Sequence, residues 1–399
     1  MSAARSKSSK PKKPYPTFPL TPHPNGQWCK KIRGKVFFFG VWSDPKSALQ
    51  EYTTQAADLH AGRRLHRPQS AGLSVRDLSN NYLANQKLKA ERGLITASWY
   101  GDCLRAVRAF AREIGPDRLA TDLSPIEFGD YRLKLYDRLG VCAIDRNVAI
   151  LRSMFRHAFE TDLIAVPVKF GGQFNKPSQK EKRQNRSERD RLYGKRLFSA
   201  ADVRSLLDAA HQPVRTMILL GMNGGFGNTD CAELPIRAVD LKHHIIEFER
   251  PKTAVQRIVP LWPETIDALR EVIHGDRPKA RRPEYEGRVF LTAFGNPWKQ
   301  EHVRSEIVGE RPEVGRHYAI VLEFKKLLKS LNLNRKGLGF YALRHTFRTW
   351  ADETRDQHAV HRIMGHAIPG MSGVYVEEIS IDRLRAVTGY VHDKLFNPR

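Results

Sequence analysis

The chain has 399 residues, too many for one ordinary hydrophobic core, so two or three folded units are expected. Its 67 Lys and Arg outnumber 43 Asp and Glu, and the net charge of +24 favours a polyanionic partner, most simply nucleic acid. Four scattered cysteines without a C-x-x-C pair argue against a disulfide framework and a structural zinc site. No run approaches the ~18 apolar residues of a membrane-spanning helix, and no signal peptide is apparent, so we expect a cytoplasmic protein without metal or membrane attachment.

The N-terminal part predicts a basic tail followed by a small β-sheet and a helix. Residues 1–17 are rich in Lys, Ser and Pro, which predicts disorder. Glycines punctuate an aromatic and β-branched stretch over 26–42, a pattern typical of short strands in hairpins. Asp44 is a favourable N-cap and Pro45 a favourable first-turn residue, so a helix is expected from Pro45 onward. We therefore predict a folded unit over 18–66.

Residues 72–166 show helical periodicity throughout and predict a small helical bundle. Apolar side chains recur at helical spacing in two stripes, Tyr100, Leu104, Val107, Phe110, Ile114 and Ile144, Val148, Leu151, Phe155, Phe159. Arginines occupy the other faces of these two helices. The following segment, 167–197, combines many basic residues with Gly171, Gly172 and Pro177, which predicts a flexible basic linker.

The remaining residues, 198–399, predict a mixed α/β unit. The spacing of Ser199 and Asp202 resembles a capping box and opens a predicted helix, and a second, apolar helix is expected over 214–222. Strands are expected over 244–248, 257–261 and 289–291, and helices over 320–331 and from 343 onward.

Three side chains near the C-terminus suggest phosphodiester chemistry. Arg344 lies in the run Y-A-L-R-H-T-F, His366 follows it by 22 residues, and Tyr375 follows His366 by 9. A guanidinium offers a fixed fork of donors to phosphate oxygens, an imidazole can supply another donor, and a tyrosine oxygen can attack phosphorus. Together they specify a reaction class that none specifies alone.

This order and spacing resemble the signature of the tyrosine recombinase, or phage-type integrase, family. The resemblance implies that Tyr375 is the nucleophile, that Arg344 holds the scissile phosphate and that His366 donates a hydrogen bond to it. The run R-P-K-T-A between two predicted strands resembles the hairpin that carries the family's general-acid lysine, here Lys252. Tyr341 stands where the family has the histidine of H-x-x-R, and its phenol can still donate a hydrogen bond.

A second departure from the family pattern concerns the first catalytic arginine, because Gly227 stands at its place. A missing preorganised donor typically costs about 10²–10³ in rate. Either another cation fills the space or catalysis is lost. Arg237 is our first choice for such a cation, with Arg215 and the arginines of the linker as alternatives.

The resemblance implies a multidomain, mainly α fold with small β-sheets. Its parts would be an arm-type DNA-binding domain (18–66), a helical core-binding domain (72–166), a basic linker and a catalytic domain (198–399). The expected DNA contacts are made by basic residues of the first two parts: Lys30, Lys31, Arg33, Arg105, Arg108, Arg152 and Arg156.

The expected partner is double-stranded DNA, and the expected assembly is a homotetramer on DNA without any cofactor. A C-terminal apolar stripe, residues 384–395, would either dock on a neighbouring protomer, as in related recombinases, or pack within its own domain. Two other classes remain open. One is a DNA-binding protein of the same fold that does not cut, and the other is a nickase similar to type IB topoisomerases.

Overall fold

A computed structural model describes residues 10–61, 72–250, 254–304, 314–367 and 378–397. The described residues form helices joined to small antiparallel sheets, which confirms the predicted fold class. Their buried apolar side chains fall into three main cores, one for each of the parts that we call the N-terminal, helical and C-terminal units.

The N-terminal unit is a three-stranded antiparallel sheet covered by one helix. Its strands are β1 (Thr21–His23), β2 (Gln27–Ile32) and β3 (Lys35–Val41), in the order β1-β2-β3, and its helix is α1 (Pro45–Ala61). Trp28 and Phe39 are buried between the sheet and α1 because alternate strand residues face the same side. Residues 10–17 were predicted as part of a disordered tail, but they form turns in which the Lys13 Nζ donates to the Phe18 carbonyl at 2.9 Å.

The helical unit consists of α2 (Val75–Glu91), α3 (Ala97–Ile114), α4 (Pro125–Tyr136) and α5 (Val141–Glu160). Most residues of the two predicted stripes pack in its core, but Tyr100 and Leu104 belong to a separate cluster and Phe159 is 41% exposed at the end of α5. At its centre Phe155 packs edge to face against both Phe110 and Phe128. Phe174, from the segment assigned to the linker, is also buried in this core, so the chain stays attached to the bundle beyond residue 166.

The prediction of a flexible linker is wrong for α6 (Gln179–Tyr193), which is a regular helix. Ser178 caps it, since its side chain accepts from the Glu181 backbone N–H while the Glu181 carboxylate accepts from the Ser178 N–H. Most of its other side chains are Lys, Arg, Glu and Gln, which lose little freedom in a helix. Composition suggested a linker, but helix propensity and a cap decided the local structure.

The C-terminal unit surrounds a second small sheet with helices. The helices are α7 (Ala200–Ala209), α8 (Val214–Gly224), α9 (Asn228–Glu233), α10 (Pro263–His274), α11 (Ala319–Ser330), α12 (Tyr341–Ala351), α13 (Gln357–Met364) and α14 (Ile381–Phe396). The sheet has the order β4 (Val239–Asp240), β5 (Ile245–Arg250) and β6 (Val255–Pro260).

A separate antiparallel hairpin, β7 (Lys299–Val303) and β8 (Val314–Tyr318), extends from the C-terminal unit to the helical unit. Val314 packs with Tyr100 and Leu104 of α3. Residues 289–291 are buried, but their strand pairing is limited to isolated bridges, so the strand predicted there is wrong. The hairpin was not predicted, since its strands are largely polar and lack the apolar alternation that signals a strand.

Candidate active site

Arg344 lies in the buried interior of the C-terminal unit, on the face of α12 that packs against α8. The residue is 3% exposed. Its Nη1 donates to the Gly225 carbonyl, and its Nη2 donates to the Met364 carbonyl at 3.0 Å. Gly225 has a φ of 62°, a left-handed conformation that glycine adopts without strain, and this turn ends α8 with its carbonyl directed at the arginine. The chain segments at the ends of α8 and α13 thus position the Arg344 guanidinium.

His366 follows the left-handed Gly365 that ends α13, and its ring reaches Arg344. The His366 Nε2 lies 2.6 Å from the Arg344 Nη2. Burial, and then the positive charges of Arg344 and Arg250, lower the pKa of His366 to about 4. The imidazole is therefore neutral at neutral pH, and since the guanidinium can only donate, Nε2 is the acceptor of this hydrogen bond.

Asp230 holds the site together, and sequence analysis did not single it out. Its carboxylate is 3% exposed, and its Oδ2 accepts from the Gly227 backbone N–H at 2.8 Å. Arg250 Nε lies 3.2 Å from Oδ1, while Arg344 Nη1 and Arg257 Nη1 lie 3.5 Å and 3.7 Å from Oδ2. Its position three residues after Gly227, the spacing of a capping box, is the signal that could have found it.

Arg257 and Arg250, on the adjacent strands β6 and β5, bring two further guanidinium groups to this carboxylate. Arg257 is fully buried: its Nε donates to the Ile363 carbonyl at 3.1 Å, and its Nη2 donates to the Gly224 carbonyl at 2.6 Å. Burial lowers the pKa of Arg257 to about 9, against the opposing effect of Asp230. Arg257 is therefore a positioning residue that ties β6 to the ends of α8 and α13.

The Tyr341 ring lies beside Gly227. A Cβ placed on Gly227 would lie 3.1 Å from the ring Cε2 and 3.3 Å from Cδ2. The φ of Gly227 is −97°, so its backbone does not require glycine; the adjacent ring is what restricts the side chain. The two departures from the family pattern are thus neighbours in space.

The first choice for the compensating cation, Arg237, is wrong. Its side chain is exposed on the short 3-10 helix Ile236–Ala238, and Arg215 is exposed on α8. Sequence analysis did not anticipate Arg250, which lies next to Asp230 and Gly365. Two other predicted site residues, Lys252 and Tyr375, lie outside the described residues.

The predicted DNA contacts of the N-terminal unit lie on different faces of its sheet. Lys30 lies on the face toward α1, with its Nζ 5.3 Å from the centre of the Tyr52 ring. Lys31 is exposed on the opposite face, beside Val36, and Arg33 is exposed in the turn between β2 and β3. Lys31 and Arg33 thus remain candidates for contact with a phosphate backbone.

The predicted contacts of the helical unit also differ from one another. Arg105 is exposed and pairs with Asp102, while Arg108 and Arg156 are exposed. Arg152 donates to the Phe174 carbonyl at 2.9 and 3.0 Å and to the Asn175 side chain at 2.8 Å. It anchors the segment after α5, so we remove it from the set of expected DNA contacts.

Within the described ranges, no three His, Cys, Asp or Glu side chains come together as metal ligands would. None of the helices in the same ranges combines the length and apolar composition needed to cross a membrane.

Comparison with known proteins places this geometry in a family. Residues 196–379 match the phage integrase family model. The fold is similar to that of the Tn1549 transposon integrase in complex with transposon right end DNA, with a TM-score of 0.55, 18% identity, and coverage of 80% of this chain and 99% of that one. It is also similar to a lambda integrase dimer bound to a COC′ core site, with a TM-score of 0.54, 16% identity, and coverage of 93% and 99%.

Among curated proteins, none matches the sequence. The match over residues 196–379 contains Arg344, His366 and the cluster around Asp230, and the surrounding fold is that of solved integrases. Residues 196–379 are thus similar to the phage integrase family of tyrosine recombinases, and the fold around them is similar to that of solved integrases.

Proposed function

We propose that the chain is a site-specific DNA recombinase that cuts and rejoins DNA through a 3′-phosphotyrosyl intermediate. One observation carries the proposal: Arg344 and His366 meet in a buried site where three guanidinium groups surround a single carboxylate. Since His366 is neutral, these groups leave two positive charges in a desolvated place. Buried charge without a partner is costly, so the site favours an anion such as a phosphodiester.

In the proposed reaction, the Tyr375 oxygen attacks the scissile phosphorus and displaces the 5′-oxygen of the DNA strand. Arginine donors bind the non-bridging oxygens, where negative charge builds in the transition state. Lys252 protonates the leaving 5′-oxygen as a general acid. The reverse attack, by a 5′-hydroxyl of a partner strand, releases the tyrosine and joins the new strands, so no external energy source is required.

The neutral state of His366 has a consequence for this cycle. Arg344 and Arg250 lower its pKa, and a bound phosphate offsets their charge. Phosphate binding therefore raises the pKa of His366 and favours its protonated form, in which both ring nitrogens donate. In the neutral ring Nδ1 carries the proton and can donate, and protonation adds Nε2 as a second donor.

Double-stranded DNA is the proposed partner, gripped between the N-terminal and helical units on one side and the C-terminal unit on the other. Exposed Lys31, Arg33, Arg105, Arg108 and Arg156 supply backbone contacts, which position a protein on DNA without reading sequence. Recombination exchanges two duplexes and thus needs four active sites. A lambda integrase tetramer is bound to a Holliday junction in one solved structure, with a TM-score of 0.54 to this chain, and we propose a homotetramer here.

A DNA-binding protein of the same fold that does not cut is the second candidate. Gly227 favours it, because the family has an arginine there and the Tyr341 ring occupies the adjacent space. Both candidates predict DNA binding, so only a covalent product separates them.

The test is covalent capture. The tagged chain is produced in cells that carry its gene and purified under denaturing conditions, and the DNA that remains attached is sequenced. The recovered sequence is then built into a nicked suicide duplex, on which a cut strand cannot be rejoined. We expect a denaturant-resistant adduct with the wild type and none with Tyr375→Phe, whose DNA affinity should be nearly unchanged because only the attacking oxygen is removed.

Absence of any adduct with the wild type, in cells and on suicide duplexes, would favour the non-cutting alternative. Relaxation of supercoiled plasmid without strand exchange would instead indicate a nickase similar to type IB topoisomerases. An adduct that persists in Tyr375→Phe would mean that another tyrosine attacks, and Tyr341 is the next to test.

A further inference from the structure

The site lacks the family's first arginine, yet a second guanidinium, that of Arg250, lies with Arg344 around Asp230. We infer that Arg250 takes over the function of the arginine missing at Gly227 and binds a non-bridging oxygen of the scissile phosphate together with Arg344. This inference rests on the proposed function, and it names the residue that would make the site competent.

The hydrogen bonds of the three arginines distinguish their roles. The Arg257 Nε and Nη2 donate to backbone carbonyls, and its guanidinium packs 3.8 Å from the centre of the Phe226 ring. The Nη atoms of Arg344 donate to two carbonyls and to His366. Among the described residues, Arg250 makes its hydrogen bond through Nε, to Asp230, which leaves the fork of its two Nη groups to bind an anion.

The solvent exposure of the three arginine side chains also distinguishes Arg250. The Arg250 side chain is 9% exposed, whereas those of Arg344 and Arg257 are 3% and 0% exposed. A more exposed side chain is reached more readily by a phosphate on a DNA backbone. Arg250 is thus the most accessible of the three guanidinium groups.

The position of Arg250 is fixed from two sides. The Asp230 carboxylate binds Arg250 through Oδ1 and faces Arg344 through Oδ2, so one rigid group sets the spacing of the two arginines. On the other side, Gly365 lets the arginine stem approach, since a Cβ there would lie 3.0 Å from the Arg250 Cβ and 3.1 Å from its Cδ. The residue next to Gly365 is His366.

Arg250 also ends the strand that leads to Lys252, two residues later in the sequence. The proposed phosphate ligand and the proposed general acid are therefore close neighbours in the sequence. The family places its first arginine at the start of α9 instead, where the Tyr341 ring now lies next to Gly227. Here the Arg250 guanidinium reaches the site from β5 and pairs with Asp230.

The first experiment compares adduct formation by wild type, Arg250→Gln, Arg250→Lys and Arg237→Gln on the suicide duplex recovered by covalent capture. Arg250→Gln should slow the reaction about 10²–10³-fold, the usual loss for one preorganised donor. Arg250→Lys should be intermediate, because it keeps the charge without the fork. Arg237→Gln is the matched control and should react as the wild type does. Equal rates for wild type and Arg250→Gln would refute the inference and leave the recombinase proposal standing.

A substrate change separates phosphate contact from a role in holding Asp230. A methylphosphonate at the scissile position has a methyl group in place of one non-bridging oxygen and is uncharged, so a cation that neutralises the phosphate charge loses its value there. The gap between wild type and Arg250→Gln should shrink to less than about 10-fold on this substrate if Arg250 acts on the phosphate. An undiminished gap would show that Arg250 acts only through the fold of the site, and would overturn the inference.

A second measurement does not depend on cutting. Binding of inorganic phosphate to the DNA-free chain is measured calorimetrically at constant ionic strength for the same variants. We expect Arg250→Gln to bind at least about 10-fold more weakly than wild type and Arg237→Gln, in line with the loss of a charge-assisted pair. If the wild type forms no adduct, the recombinase proposal fails, but the phosphate-binding measurement still tests whether Arg250 binds the anion. Phosphate binding that is no stronger in the wild type than in Arg250→Gln would overturn the inference.

Discussion

Gly227 and Tyr341 are far apart in the sequence, but their side-chain positions share one small volume. The family pattern has arginine and histidine at these places. Here the larger aromatic ring lies 3.1 Å from where a Cβ on Gly227 would be, so the loss of one side chain makes room for the growth of the other. The two substitutions are best understood as one change in packing.

We predict that Gly227→Arg is destabilising alone and better tolerated with Tyr341→His. The added side chain overpacks the site against the tyrosine ring, at a cost of about 1–3 kcal/mol in the free energy of unfolding. The smaller imidazole removes part of that conflict. Urea unfolding of wild type, both single variants and the double variant gives the interaction energy, which we expect to exceed about 0.5 kcal/mol. Additive effects would mean that the ring and residue 227 do not compete for space.

The pKa of His366 makes a prediction about pH. Its folded-state pKa, about 4, lies below the ordinary value of 6.5, so the folded protein resists a proton that the unfolded chain accepts. The stability contributed by neutral His366 is complete above pH ~6.5 and is lost as the pH falls toward 4. The free energy of unfolding should therefore fall less steeply across this window in His366→Gln than in wild type.

His361 is the matched control for that measurement. Burial also lowers the pKa of His361, and its ring centre lies 5.7 Å from that of His366. The effect of each histidine is isolated by comparing its Gln variant with wild type. A pH dependence that is identical in wild type and His366→Gln would contradict the neutral, buried state of His366.

At the scale of elements, the C-terminal helix resolves an alternative that the sequence left open. The apolar stripe of α14 packs within its own chain: Leu384, Val387, Val391 and Leu395 are at most 1% exposed. The Trp262 indole N–H donates to the Thr388 carbonyl at 2.9 Å, which fixes the helix against α10. The stripe belongs to the core of the C-terminal unit, so contacts between protomers would have to use other surfaces.

We predict that Leu395→Ala lowers the free energy of unfolding by about 2–5 kcal/mol, since it leaves a cavity in a packed core. The loss should be the same at low and high protein concentration, because the contact is intramolecular. Arg385→Ala, on the exposed face of the same helix, should change stability by less than about 1 kcal/mol. Denaturant titrations at two concentrations measure both. A loss that appears only at high concentration would indicate that the helix docks between protomers.

At the scale of the whole molecule, the β7–β8 hairpin connects the C-terminal and helical units. The Arg316 Nη2 donates to the Ser98 carbonyl at 2.8 Å, and the Ser98 backbone N–H donates to the Glu301 carboxylate at 3.2 Å. Asp102 of α3 is close to Arg316, at 3.8 Å. These polar contacts lie beside the apolar contact of Val314 with Tyr100 and Leu104, so the hairpin joins the two units by both kinds of interaction.

The charge of the whole chain predicts a steep salt dependence of DNA binding. The net charge of +24 is spread over several units, so many phosphates are contacted at once. If ~6 or more are neutralised, a plot of log K against log salt should have a slope of about −5 or steeper, because each contact releases ~0.9 counterion. Fluorescence anisotropy on the captured duplex, at salt concentrations between 50 and 300 mM, measures this slope. About a threefold to sixfold range of salt concentration is enough. A slope near −1 would mean that the basic residues are mostly not in contact with DNA.

The sequence by itself determined the fold class and the resemblance to a family. Apolar periodicity depends on local spacing, so the helices of the bundle and the strands before and after Lys252 were predictable to within a few residues. The order of Arg344, His366 and Tyr375 is likewise a sequence property. Local cues also misled: basic composition suggested a flexible linker, where a Ser178 cap and good helix formers produce α6.

Only the tertiary structure decided what surrounds Arg344. Asp230, Arg250 and Arg257 come from three different elements, and no spacing rule connects them to Arg344. Their meeting depends on how α9 and the β5–β6 pair pack against α12, which is a matter of long-range packing that single-sequence patterns do not encode. The exposure of Arg237 and the burial of Arg250 follow from the same packing. The sequence could thus say that a cation was missing, while only the fold shows that Arg250 lies beside Asp230.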